Sequence, residues 1–175
     1  MQNCNSKSEN LNQKGFTLIE LLLYISLTGI ILLSVSVFYF ETLRSRVKNQ
    51  TIAEVEQQGT IAMEQITQAI RNSSSIASPA VGTSAAAITL TSTTPAKNPT
   101  VFDLTTGTIR VSEDALAPVN LTTPKVAITA LNFQNLSAAS TKGVIKVSFT
   151  VSYINNSGRN EYDFSKTFTG AASLR

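Results

Sequence analysis

The chain has 175 residues, a formal charge of +3 and neither histidine nor tryptophan, which leaves room for one globular domain of modest core beside a membrane segment. Its one cysteine is Cys4, so the rest of the chain holds together without a disulfide. Histidine-based acid/base catalysis, cysteine nucleophiles and the usual zinc sites are excluded in one step. The positive charge is too small and too scattered to argue for nucleic acid by itself.

Residues 1–15 are polar, with Lys7 and Lys14 against Glu9 and no apolar stretch of their own. A standard secretory peptide is cleaved after its apolar region, so this segment is not one. Residues 21–40 carry no charge at all, close to the ~20 residues with which an α-helix crosses a bilayer. Glu20 stands at the edge of that run. A charged side chain costs on the order of 3 kcal/mol at mid-membrane and less toward the interface, so a carboxylate kept there calls for a cation.

The string Lys14-Gly15-Phe16-Thr17-Leu18-Ile19-Glu20-Leu21-Leu22 resembles the processing and assembly signature of type IV prepilins and of the related pseudopilins of type II secretion and DNA-uptake machines. The resemblance implies cleavage after Gly15 by prepilin peptidase, methylation of the new amine on Phe16, and an assembly role for Glu20. Other implied partners are further pilin or pseudopilin subunits, an inner-membrane assembly platform and membrane lipid. It covers roughly the first quarter of the chain. Phe16 and Glu20 lie one helical turn apart, so cleavage would place a positive amine at a helix N-terminus within reach of a carboxylate. That carboxylate can face its own amine or a neighbouring subunit's, or it can simply snorkel to the headgroups of a signal anchor.

On charge alone, Arg44, Arg46 and Lys48 after the span outnumber the two leader lysines and favour the opposite orientation. The resemblance places the leader in the cytoplasm and the C-terminal domain outside, and that assignment is preferred. Removing the leader lowers the formal charge by one. Two departures from the family pattern stand out. No cysteine pair closes a C-terminal loop, and Val37 occupies the place, eight residues after Gly29, where a helix-unwinding proline often stands in the family. Gly29, with Ser26, Thr28, Ser34 and Ser36, suits either local bending or close helix packing.

Beyond residue 40 the helix becomes one-sided. Leu43, Val47, Val55, Ala62, Ile66 and Ile70 recur at helical spacing, while Arg44, Lys48, Glu54, Glu56, Gln57 and Glu64 take other faces. The pattern predicts one helix to about Asn72, roughly 85 Å long at ~1.5 Å per residue, with Gly59 as a weak point of about 1 kcal/mol. Its membrane half is 16–40 and its amphipathic half 41–72. Residues 73–87, rich in Ser and Ala with Pro79, read as a loop.

From 88 to 175 the chain is β-like. Ile88 and Leu90 alternate with threonines, and residues 101–104 and 108–111 flank Thr105-Thr106-Gly107 as a hairpin turn. Residues 126–136, 144–154 and 162–168 are further strands, the last two around the turn residues Asn155-Asn156-Ser157-Gly158. The expected fold is α+β and pilin-like: a long transmembrane and amphipathic helix packed against a C-terminal antiparallel β-sheet.

Other signals are weak. Glu113-Asp114 lacks a ligand-spaced loop for Ca²⁺, so no cofactor or metal is expected. Lys142, Lys146, Arg159 and Lys166 could align across the final hairpin and touch DNA, but without aromatic interleaving they read as solubilising edge charges. Asn120-Leu121-Thr122 is a sequon on an exposed surface. The sequence reads as a non-enzymatic minor pilin or pseudopilin, destined for a cell-surface or periplasmic filament. The alternatives are a major pilin and a membrane-anchored adhesin that does not polymerise.

Overall fold

The computed structural model describes residues 15–114, 116–138 and 142–175. Residues 1–14 of the expected leader, with Lys7 and Lys14, lie outside the described residues. One α-helix, α1, runs from Leu18 to Arg71 over 54 residues, ending one residue before the sequence-based expectation. The chain divides into two compact units, Met1–Leu43 and Arg44–Arg175.

In the first unit the described residues are α1 from Leu18 onward and the three residues before it. Every large apolar side chain from Leu18 to Phe40 is exposed, and the helix is long and apolar enough to cross a membrane. Its serines bond back to carbonyls of the preceding turn. Ser34 donates to the Ile30 carbonyl at 2.9 Å and Ser36 to that of Leu32 at 2.8 Å, which removes the cost of carrying hydroxyls into an apolar medium.

Among its described residues the second unit combines residues 44–71 of α1 with nine strands. These are β1 (Ser73–Ser78), β2 (Ser84–Ala85), β3 (Ile88–Ser92), β4 (Thr100–Thr105), β5 (Thr108–Glu113), β6 (Val119–Asn120), β7 (Val126–Asn135), β8 (Val144–Tyr153) and β9 (Ser165–Ser173). They form two antiparallel sheets instead of the single one expected, ordered β1-β3-β4-β5-β6 and β2-β7-β8-β9. The sheets are joined where the Ile128 N–H donates to the Gly107 carbonyl at 2.7 Å.

Packing against the helix follows from its spacing. Val55, Ala62, Ile66 and Ile70 are fully buried with Ile88, Leu90, Phe133, Phe149 and Val151 in one core. Of the predicted apolar stripe, Val47 is half-buried and Leu43 exposed. Gly59 is also a point of close approach: a Cβ there would collide with the Phe168 ring of β9. Lys166 of the same strand pairs with Glu56 at 2.6 Å and lies 5.6 Å from the Phe168 ring centroid.

Three local readings change. Residues 73–87 are not a plain loop, since β1 pairs with β3 and β2 with β7. This segment has almost no apolar alternation and is held through its backbone. The Asn135 side-chain amide donates to the Pro79 carbonyl at 2.8 Å, and Gly82 N–H to the Asn135 carbonyl at 2.9 Å. The last strand starts at Ser165, not at 162, because a single 3-10 turn at Asn160–Tyr162 follows the Asn155-to-Gly158 cluster. Residues 126–135 form one strand with a bulge between Thr129 and Asn132, at Ala130 with φ 53°. The bulge carries inward-facing side chains from even positions (Val126, Ile128) to odd ones (Leu131, Phe133, Asn135).

Candidate functional site at the start of the helix

Residues 15–17 are exposed and outside regular structure, and α1 begins immediately after them. Nothing lies within 4 Å of the position a Cβ would take on Gly15. Gly15 and Phe16 are thus exposed and non-helical, directly ahead of the helix. Phe16 is likewise open, at 75% exposure.

Thr17 starts the helix. Its hydroxyl oxygen accepts from the Glu20 N–H at 3.3 Å, and its carbonyl accepts from the Leu21 N–H at 3.1 Å. That is the N-cap arrangement, in which a Thr side chain satisfies a donor left without an intrahelical acceptor. The spacing Thr-x-x-Glu is that of a capping box. The Glu20 side chain, however, meets the next turn: the Tyr24 hydroxyl donates to Glu20 Oε1 at 3.2 Å. The Tyr24 ring also meets Phe16 edge to face, with centroids 6.4 Å apart at 75°. Phe16, Glu20 and Tyr24 are spaced at successive intervals of four, Tyr24 touches both of the others, and Glu20 is half-buried.

Of the three residues singled out from sequence, Phe16 and Glu20 each meet Tyr24, and Gly15 adjoins Phe16 in the chain. Sequence reasoning did not single out Thr17 and Tyr24 as their partners. The Thr-x-x-Glu spacing and a Tyr four residues after Glu20 were the available signals.

Several charges among the weaker candidates are paired locally. Arg159 binds Glu161 at 3.2 Å and Lys166 binds Glu56, so these two charges of the imagined basic row serve local ion pairs. Lys146 stands opposite Ala171 on β9. Glu113 pairs with Lys97 at 2.8 Å. Among the described residues no group of three His, Cys, Asp or Glu side chains is placed to hold a metal.

Residues 10–36 match the family described as the prokaryotic N-terminal methylation motif. The matched span contains Gly15, Phe16, Glu20 and Tyr24 and carries the type IV prepilin and pseudopilin signature. No curated protein and no solved structure matches the chain.

Proposed function

We propose, from the methylation signature over residues 10–36, that this chain is the precursor of a non-enzymatic minor pilin or pseudopilin. It is cleaved between Gly15 and Phe16 by prepilin peptidase, N-methylated on Phe16, and built into a type IV pilus-like filament. Its span is residues 16–40, with the leader in the cytoplasm and the β-rich domain on the far side of the membrane. The observation that carries this reading is the open Gly15-Phe16 bond, one helical turn ahead of a lone carboxylate in an apolar helix.

The mechanism is assembly rather than turnover. Exposed apolar side chains from Leu18 to Phe40 exchange lipid for the same segment of neighbouring subunits, where close packing rather than the hydrophobic effect supplies the attraction. Glu20 fixes the axial register, because a neighbour's Phe16 amine entering such a bundle without a counter-ion loses on the order of 3–5 kcal/mol. The test is mass spectrometry of the N-terminal peptide from peptidase-competent host cells, with Glu20→Ala compared in membrane and sheared-filament fractions. The expected result is an N-methylated chain beginning at Phe16, and a Glu20→Ala variant that is processed but kept out of filaments. A chain retaining residues 1–15, or Glu20→Ala present in filaments at the wild-type level, would overturn the corresponding half of the proposal.

A further inference from the structure

The carboxylate on which assembly depends already has a donor within its own helix. Tyr24 lies within the uncharged run, one turn deeper than Glu20, and its hydroxyl reaches Glu20 Oε1 at 3.2 Å. Side chains on a helix lean toward its N-terminus, so a tyrosine four residues on covers the preceding turn. Here it reaches far enough for its ring to meet Phe16 at 6.4 Å.

We propose that Tyr24 is a positioning residue for Glu20. By bonding the carboxylate and packing on the Phe16 ring, it presents Glu20 as an oriented acceptor for the Phe16 amine of a neighbouring subunit.

The physical case has three parts. A carboxylate leaving water loses its solvent donors, and an unreplaced donor is costly in an apolar medium. The phenol supplies one donor without adding charge. A carboxylate has two oxygens and about four lone-pair sites, so engaging one oxygen still leaves it able to accept an ammonium. The edge-to-face contact couples Phe16, whose backbone nitrogen becomes the amine, to the same tyrosine that orients the acid. Donor and acceptor of the intersubunit pair are therefore set by one side chain.

This inference rests on the assembly reading above, and its test separates the two. Full-length wild type, Tyr24→Phe, Glu20→Gln and the double variant are expressed in the host with its peptidase and assembly machinery. The fraction of each in sheared filaments is measured, with N-terminal mass as the control for processing. Tyr24→Phe keeps the ring and loses only the hydroxyl. It should be cleaved and methylated normally yet enter filaments roughly threefold to tenfold less, the range set by a side-chain hydrogen bond in a membrane setting. The double variant should be no worse than Glu20→Gln, since without the carboxylate the hydroxyl has nothing to position. Wild-type incorporation of Tyr24→Phe, a processing defect in it, or independent losses that multiply in the double variant would each overturn the role. If Glu20→Gln itself assembles like wild type, the assembly reading falls and this inference with it; if only Tyr24→Phe is silent, that reading stands and this one falls.

Discussion

Residues 18–40 and 51–71 of α1 are both continuous helix, yet their apolar side chains meet opposite fates. Leu22, Ile30, Leu33 and Phe38 are each about 70% exposed, whereas Val55, Ala62, Ile66 and Ile70 are at 0%. Helix propensity does not distinguish the two stretches, since each mixes strong helix formers, leucine in the first and alanine, glutamate and glutamine in the second, with isoleucine, other β-branched residues and one glycine. What differs is the arrangement. In the first stretch apolar residues surround the axis, so no one sheet can cover them, and the solvent must itself be apolar or the cover must come from other chains. In the second they form a stripe, and a sheet face is enough.

The strongest challenge to this comparison is to separate the parts. Residues 44–175 should fold as a soluble monomer with a cooperative melt, while residues 73–175 should not, because the sheets lose Val55, Ile66 and Ile70. Burying a side chain of that size is worth ~1.5–3 kcal/mol, and together they approach the whole stability of a small domain. Equal melts for the two fragments, by circular dichroism, would refute the docking of helix on sheet.

A single substitution made in both stretches sharpens the contrast. Gly59→Ala should destabilise residues 44–175 by about 1–3 kcal/mol, since the added methyl meets the Phe168 ring. Gly29→Ala meets nothing within 4 Å and should favour the helix by up to about 1 kcal/mol. Thermal unfolding of the full chain in detergent distinguishes them: a lowered midpoint for the first and none for the second.

A smaller gain is available at the β4–β5 hairpin. Both central residues of the turn have positive φ, 49° at Thr106 and 74° at Gly107, as a type I′ turn requires, and a β-branched residue adopts such a backbone only with strain. Thr106→Asn should raise stability by about 0.5–1 kcal/mol, read as an upward shift in the denaturant midpoint.

The smallest effect concerns Glu161. A bond from its own backbone N–H, followed by that from the Arg159 side chain and the nearby charges of Arg159 and Arg44, holds its carboxyl below the ordinary glutamate value. A carboxylate lowered in the folded state contributes stability that is present above its unfolded value and lost as pH falls through the folded one. Wild type should therefore exceed Glu161→Gln slightly at neutral pH, and the two melts should converge as pH falls below about 4.5. Added salt should narrow the gap as well. A difference unchanged by acid would mean that the charge has no part in it.

Much of the molecule was legible in residue order because short-range rules govern it. The uncharged run after Glu20, the stripe through Val55, Ile66 and Ile70, and the Thr105-Thr106-Gly107 turn each declare themselves through spacing alone. The Gly15-Phe16-Glu20 pattern is readable for the same reason, since all its information lies within six consecutive residues. Tertiary structure decided what depends on partners distant in sequence. The pairing of β1 with β3 uses backbone groups that any serine provides, so residues 73–78 carried no sign of it. The bulge at Ala130 within β7 and the bond between Gly107 and Ile128 that joins the two sheets have no propensity of their own. Gly59 took its meaning from Phe168, more than a hundred residues away: the same residue that lowers helix propensity locally is what lets the last strand lie close against the helix.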